Sequence, residues 1–297
     1  MSILKYRKES TVSLLVLIFG SLFLSCSASS QGIKDKVDSI KDLFKIFETM
    51  TVRVEDYKRQ SRATGILLKI KDNENYRMLL TNRHSIEGAD SIEIVVSQVD
   101  NEFTIIDTLR LRIPMFSRKG DSLFYFPKEH LDIACTIIPI AALIRSNRNV
   151  VISTIDTSFF VPDERIRIGL DVLFFGYPQA IWSNLNSPFV RTGTISAIDT
   201  LVHTYFLEAN VFGGSSGSPV FVDFRNPSNL DMSAARKVFI GIIAKTFISP
   251  LKVKSGNDYK SSDSLVENAN LAIIMPAKEI KLVFEESAQK LIPRFKD

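Results

Sequence analysis

The stretch at positions 211–220, which reads VFGGSSGSPV, places glycines and small hydroxyl residues between apolar flanks. Glycine loses backbone entropy when it is fixed in a helix or strand, and serine favours turns. The stretch is therefore expected to form a tight loop that exposes a hydroxyl group and points backbone N–H groups at a ligand. Nucleophilic acyl transfer needs both features, an accessible oxygen and donors for the oxyanion that forms.

Two serines in this stretch compete for the role of nucleophile. Residues 213–217 match the pattern G-x-S-x-G with Ser215 at the centre, which is the nucleophile turn of α/β-hydrolases. In that fold the catalytic histidine follows the serine along the chain. Here the three histidines, His84, His130 and His203, all precede it. This order argues against the α/β-hydrolase interpretation and favours Ser216.

Three short motifs together resemble one protease family. Residues 214–219, GSSGSP, resemble the nucleophile loop of the chymotrypsin-like (trypsin-like) serine proteases, especially of their bacterial branch. The resemblance implies that histidine, aspartate and serine follow in that order. LLTNRHSI at 79–86 resembles the family's histidine motif, and LDIA at 131–134 resembles its aspartate motif. The resemblance spans roughly residues 52–284.

The resemblance implies a role for each residue of this set. His84 takes the proton of Ser216 and later returns it to the leaving group, while Asp132 holds the imidazole in the required tautomer. The backbone N–H groups of Gly214 and Ser216 are expected to form the oxyanion hole.

Each of these assignments has a simpler structural alternative. His84 can be read as a surface histidine at a strand end, and Asp132 as an acid that opens a strand. The other histidines are less suitable, since His130 is expected on a loop and His203 at a strand position. Two nearby acids, Asp107 and Asp121, lack the Ile-Ala continuation of the aspartate motif.

Short apolar segments separated by polar turns follow from residue 51, a pattern typical of a β-barrel. The resemblance implies an all-β fold of two packed six-stranded β-barrels of the trypsin-like type, with an N-terminal amphipathic helix and a C-terminal helix. We expect the N-terminal barrel lobe at residues 51–150 and the C-terminal lobe, with the closing helix, at 151–297. The polar segment 249–269 is predicted to be an exposed loop.

The C-terminal helix is predicted to start at Pro276, because proline is well tolerated in the first turn of a helix. Ile280, Val283 and Phe284 recur at helical spacing and are expected on its inner face.

By the same resemblance, the primary substrate pocket is lined by residues before the nucleophile and on a later strand, namely Asn210, Val211, Ile243, Ala244 and Thr246. Acidic residues are absent from the positions expected to attract lysine or arginine. Ile243 stands where glutamate-selective relatives have a histidine. These features predict a preference for a neutral or small apolar side chain.

Ser215 departs from the family pattern, in which many members have Asp or Asn before the nucleophile. In the zymogen branch that aspartate pairs with a newly cut N-terminus. Ser215 has no charge for such a pair, so we expect no activation of that kind.

The N-terminus resembles a secretory signal peptide at residues 1–25. Basic residues 5, 7 and 8 precede an apolar run, 12–24, that is short for a membrane span. The sequence FLSC at 23–26 resembles a bacterial lipobox, which implies lipidation of Cys26 and a membrane anchor. Ordinary cleavage after Ala28 is the alternative. The protein is thus expected to be exported to the periplasm or cell envelope.

Residues 26–50 are expected to form a polar tether followed by an amphipathic helix. Apolar residues recur there at helical spacing, at Ile33, Val37, Ile40, Phe44 and Phe47. Packing on the protease body is the favoured role for this apolar face, and contact with a membrane surface is the alternative.

Composition limits the function classes. The net charge is +4 without a run of basic residues, which gives little support to nucleic-acid binding. The sequence has two cysteines and no Cys/His cluster of metal-site spacing, so we expect no metal and no cofactor. Cys135 is expected to be a buried, unpaired thiol.

The sequence therefore predicts an exported serine endopeptidase that hydrolyses peptide bonds through an acyl-enzyme and acts on polypeptides. One alternative is a catalytically inactive protease fold that serves as a binding module. Another is an esterase-like hydrolase with the same residues. The oligomeric state is not predicted.

Overall fold

The computed structural model describes residues 40–127, 131–144, 151–178, 187–223, 237–255 and 258–295. The predicted signal peptide, Cys26, His130 and the first part of the amphipathic helix lie outside these residues. Most of the described chain is β-strand, arranged in two lobes with a helix at each end. No helix in the described ranges is both long and apolar enough to cross a bilayer.

The first lobe is one antiparallel sheet of seven strands in the order β5-β4-β1-β2-β3-β7-β6. Its strands are β1 (Thr51–Asp56), β2 (Ser61–Lys69), β3 (Tyr76–Thr81), β4 (Ser91–Val99), β5 (Ile105–Pro114), β6 (Phe124–Tyr125) and β7 (Ala134–Pro139).

This sheet is a half-barrel, whereas the predicted lobe was a closed barrel of six strands. The chain between β5 and β6 folds back on itself through a bridge between Phe116 and Ser122, and β6 has only two residues. Because β5 and β6 do not pair with each other, the sheet has two ends.

The second lobe is a closed six-stranded barrel in the order β10-β13-β12-β11-β8-β9, as predicted. Its strands are β8 (Asp171–Gly176), β9 (Phe189–Asp199), β10 (Thr204–Glu208), β11 (Pro219–Val222), β12 (Phe239–Ser255) and β13 (Asp258–Pro276).

The long β12–β13 hairpin corrects the prediction of an exposed loop at residues 249–269. The two strands pair as far as Ser255 and Asp258, with three register shifts along the way. Polar residues dominate this segment, but a two-stranded hairpin needs no apolar face when its backbone groups satisfy one another.

The amphipathic helix, α1 (Ile40–Met50), packs between the lobes, as favoured over a membrane-surface role. The Phe47 ring is stacked on the Phe221 ring, with centroids 4.0 Å apart and planes within 5°. It also meets the edge of Phe175 at a centroid distance of 6.0 Å.

Three other α-helices complete the described chain, the short α2 (Arg83–Ile86) and α3 (Ile140–Leu143) and the closing helix α4 (Ala277–Leu291). Helix α4 begins directly after Pro276, as predicted, because the ring already has a helical φ. Its predicted inner residues are all buried, namely Ile280, Val283 and Phe284.

Three buried apolar clusters form the core. One lies inside each lobe, and the third lies between the lobes and includes residues of α1, α4 and both sheets. Cys135 belongs to this central cluster, and burial raises the pKa of its thiol to about 12. The thiol is therefore a packing group, as expected.

The segment after residue 150 joins the lobes by contacts with both. The backbone N–H of Lys69 on β2 donates to the carbonyl of Ile155 at 2.8 Å. Further along, the Val161 N–H donates to the carbonyl of Phe239 on β12, also at 2.8 Å. This segment is therefore hydrogen-bonded to both sheets and helps to fix their relative position.

Truncation of the central aromatic stack should weaken the whole fold. We expect Phe47→Ala to lower the free energy of unfolding by about 3–5 kcal/mol, since it removes a buried ring from the interlobe cluster. Urea denaturation measures this loss. Leu282→Ala is the matched control, because Leu282 is 58% exposed on α4. Equal losses in both variants would contradict the packing role of α1.

Candidate active site

Strand register brings His84 and Asp132 together. Strand β3 pairs with β7 so that Thr81, the last residue of β3, faces Ala134, the first residue of β7. His84 lies on the single turn of α2 just beyond the end of β3, and Asp132 lies just before β7. The two motifs are therefore neighbours at the same edge of the first lobe, although they are 48 residues apart in the chain.

The Asp132 carboxylate holds His84 at two points. One oxygen, Oδ2, lies 2.5 Å from the imidazole Nδ1, and the other, Oδ1, accepts the His84 backbone N–H at 2.9 Å. This arrangement places the Nδ1 proton toward the carboxylate and leaves Nε2 as the free nitrogen.

The Asp132 main chain is fixed by a buried amide. Asn82, which is fully buried, donates its Nδ2 to the Asp132 carbonyl oxygen at 2.8 Å. Because this bond ties the segment before β7 to the end of β3, it holds the carboxylate in line with the imidazole.

Ser216 comes from the second lobe, on the loop between β10 and β11. Its Oγ lies 3.1 Å from Nε2 of His84, within hydrogen-bond distance. The His84 side chain is 52% exposed and that of Asp132 30%. The cleft between the lobes therefore joins a hydroxyl, an imidazole and a carboxylate in one accessible chain.

The backbone amides around Ser216 fall into two groups. The N–H groups of Ser215, Gly217 and Ser218 donate to carbonyls of Phe212, Ile243 and Ser215, respectively. Among the described residues, those of Gly214 and Ser216 donate no hydrogen bond. Gly214 has a φ of +89°, a backbone conformation that favours glycine. Two unused donors thus flank the hydroxyl.

Thr64 on β2 clamps the serine loop from the opposite lobe. Its N–H donates to the Ser216 carbonyl at 2.8 Å, and its Oγ1 donates to the Gly214 carbonyl at 2.9 Å. The same Oγ1 accepts the Tyr177 N–H at 3.0 Å, and the Thr64 carbonyl accepts the Thr81 hydroxyl at 2.7 Å. This fully buried threonine fixes the carbonyls on either side of the Gly214–Ser216 turn.

Gly217 permits the close approach of this clamp. Its φ is +82°, and a Cβ at this position would lie 1.9 Å from the Thr64 carbonyl oxygen. The contact leaves no room for any side chain.

The competing sequence candidates lie elsewhere. The Ser215 side chain is buried, and its hydroxyl has no hydrogen-bond partner among the described residues. Asp107 is on β5, and Asp121 lies in the turn between β5 and β6. His203 is in the exposed turn before β10, at a φ of +49°, which corrects its prediction as a strand residue.

The predicted pocket residues flank the serine loop. Val211 and Ile243 are buried in the core of the second barrel, and the Ile243 carbonyl accepts the Gly217 N–H. Ala244 is also buried, Asn210 is exposed, and Thr246 is partly exposed on β12. Within the described ranges, no group of three His, Cys, Asp or Glu residues is placed to hold a metal ion.

The family model described as a trypsin-like peptidase domain matches residues 63–225. This chain belongs to the trypsin-like peptidases. The matched segment contains the histidine, aspartate and serine motifs, so the family resemblance seen in the sequence is confirmed. Membership of the family supports a serine protease as the general class of hydrolase. Comparison with curated proteins finds no match for this trypsin-like peptidase.

The solved structures that match this chain include three proteases. The serine endoprotease from Yersinia pestis shares 16% identity at a TM-score of 0.49, covering 84% of this chain and 66% of that chain. The HtrA-type protease AlgW with a tripeptide shares 17% identity at 0.49, covering 84% and 63%. The MamO protease domain from Magnetospirillum magneticum shares 14% identity at 0.47, covering 80% and 97%.

This trypsin-like peptidase spans slightly less than two thirds of the length of the first two of these proteins.

Sequence motifs did not reveal Thr64 or Asn82. Thr64 reads as an ordinary threonine in an apolar strand, and its partners on the serine loop are 150 residues away. Asn82 lies inside the histidine motif itself, two residues before His84. The one sequence signal for Asn82 was its position, because it is a polar residue between a buried strand and a candidate catalytic histidine.

Loss of the Thr64 hydroxyl should loosen the serine loop. Thr64→Val keeps the β-branched shape but leaves the Gly214 carbonyl and the Tyr177 N–H without this partner. We expect the free energy of unfolding to fall by about 1–3 kcal/mol, the cost of buried polar groups left unsatisfied. Chemical denaturation provides the measurement. The control is Thr192→Val, an exposed threonine on β9, and an equal effect there would refute the clamp.

Proposed function

We propose that this trypsin-like peptidase is an exported serine endopeptidase with His84, Asp132 and Ser216 as its catalytic residues. The observation that carries the proposal is the position of the Ser216 hydroxyl. It lies 3.1 Å from the free nitrogen of a carboxylate-bound histidine, between two backbone N–H groups that have no other acceptor among the described residues.

Acylation follows from this arrangement. Nε2 of His84 removes the hydroxyl proton as Ser216 Oγ forms a bond to the carbonyl carbon of the substrate. The carbonyl oxygen gains the negative charge and accepts hydrogen bonds from the N–H groups of Gly214 and Ser216. Asp132 stabilises the imidazolium, which then gives its proton to the leaving nitrogen as the carbon–nitrogen bond breaks.

Deacylation repeats these steps with water. His84 takes one proton from the water molecule as the water oxygen forms a bond to the acyl carbon. The same two N–H groups stabilise the second oxyanion. The imidazolium then returns the proton to Ser216 Oγ as the ester bond breaks, which restores the enzyme and releases a carboxylic acid.

An extended polypeptide is the proposed substrate. The imidazole at the centre of the site is half exposed, and the adjacent Phe212 is 40% exposed, so the cleft is open to a chain that enters from solvent. Since Ser215 is buried and uncharged, we propose that the loop adopts its working geometry without pairing to a new N-terminus. A mature domain that gains activity only after a cut before β1 would contradict this.

We also propose that Cys26 is lipidated and anchors the exported enzyme in the cell envelope, on the basis of the lipobox-like sequence FLSC. We expect metabolic incorporation of a fatty-acid analogue in bacteria that express the full chain, and its loss in Cys26→Ser. Equal incorporation in the variant would exclude this site.

Covalent labelling by a fluorophosphonate tests the catalytic assignment. We expect labelling of the native protein and of Ser215→Ala, and none of Ser216→Ala. His84→Ala should be labelled about 10²–10⁴ times more slowly, the usual contribution of a general base. Gel fluorescence after timed quenching gives the rates.

Hydrolysis of matched amide and ester substrates then separates the reaction classes. Cleavage of both supports an endopeptidase, whereas cleavage of the ester alone indicates an esterase-like hydrolase. A folded protein that is not labelled at all would overturn the proposal and favour a binding module.

A further inference from the structure

Arg191 places a cation next to the segment that leads into the serine loop. It lies on β9, opposite Phe174 of β8. Its guanidinium carbon is 5.5 Å from the ring centroid of Phe174 and 5.2 Å from that of Phe212. Contact with two aromatic rings holds the planar group in place.

One end of this guanidinium is bound to the predicted pocket wall. Nη1 donates to the carbonyl oxygen of Asn210 at 3.1 Å. Asn210, Val211 and Phe212 lie between β10 and the Gly214–Ser216 turn, so the cation is bound to the segment that leads into the nucleophile.

The other end of the guanidinium lacks a partner. Nη2 is buried and makes no hydrogen bond among the described residues. Burial lowers the pKa of Arg191, and no carboxylate among the residues that the structure describes offsets this effect. A buried charge is costly unless an opposite charge and hydrogen bonds compensate it. The site therefore suits an anion that arrives with a ligand.

We propose that Arg191 determines specificity by binding a carboxylate side chain, so that the enzyme cleaves after aspartate or glutamate. The inference rests on the proposed peptidase function. It replaces the expectation of a neutral or small apolar preference, which considered the residues before Ser216 and on β12 but not the facing strand β9.

The carboxylate is expected to bind at Nη2. Asn210 accepts a hydrogen bond from Nη1, whereas Nη2 has no acceptor among the described residues and can donate to the substrate. Phe212 lies over the guanidinium and is 40% exposed, so this part of the site borders solvent. A hydrogen bond between two charged groups is stronger than one between neutral groups.

Lys245 is the rival cation in this region. It is exposed on β12, two residues after Ile243. Because water screens an exposed ammonium group, its contribution to selectivity should be smaller than that of the partly buried guanidinium.

The test compares two peptide substrates that differ only in glutamate or glutamine at the residue before the cleaved bond. We expect kcat/KM to favour glutamate by about 10- to 100-fold, the range for a hydrogen bond to a charged group. Arg191→Gln should bring this ratio close to one. Arg191→Lys should keep part of the preference.

Two further variants test whether the preference for glutamate depends on Arg191 rather than on another cation. Arg112→Gln removes an exposed arginine of β5 in the first lobe and should leave the ratio intact. Lys245→Gln should lower it less than Arg191→Gln does. Fluorophosphonate labelling of every variant reports whether the serine loop is still assembled.

The outcomes separate the two proposals. A native enzyme that is labelled and cleaves peptides without preferring glutamate overturns the role of Arg191 but not the peptidase function. A preference that survives in Arg191→Gln, or is lost only in Lys245→Gln, also overturns that role. Absence of labelling in the native protein overturns both.

Discussion

The fixed position of the two lobes is the constraint on which the site depends, because the histidine and aspartate lie on one lobe and the serine on the other. Two sets of interactions provide it. The central apolar cluster, with Phe47 stacked on Phe221, joins the lobes by burial of apolar surface. The bonds from Thr64 to the Ser216 and Gly214 carbonyls then set the local geometry. Burial of apolar surface has no preferred direction, so it brings the two lobes together. Hydrogen bonds are directional, so the bonds from Thr64 orient the serine loop.

The backbone around Ser216 shows how this alignment leaves two hydrogen-bond donors unused. The carbonyl groups of Gly214 and Ser216 accept hydrogen bonds from Thr64. The N–H groups of Ser215, Gly217 and Ser218 donate to carbonyl groups of the second lobe. The N–H groups of Gly214 and Ser216 are thereby left for a ligand oxygen. A preorganised pair of donors stabilises developing negative charge without the reorganisation that water would need. The positive φ values at Gly214 and Gly217 explain why glycine occupies both positions.

Much of this architecture could be predicted from sequence where the signal is local. Alternating apolar residues located most strands, and the spacing of Ile280, Val283 and Phe284 located the closing helix. The three motifs predicted which residues the structure brings within hydrogen-bond distance. Long-range contacts gave no such signal. Thr64 and Arg191 have hydrogen-bond partners in the segment between β10 and β11, which their own sequence context does not indicate. The pairing of residues 249–255 with the start of β13 involves backbone groups, so the polar composition conceals it.

A crystal structure of the protein after reaction with a small fluorophosphonate is the decisive experiment for the proposed site. We predict a phosphoryl group bonded to Ser216 Oγ, with one phosphoryl oxygen accepting hydrogen bonds from the N–H groups of Gly214 and Ser216. We also predict that the Thr64 contacts to the loop are unchanged. An adduct on another residue, or a phosphoryl oxygen directed away from both N–H groups, would refute the proposed catalytic assignment.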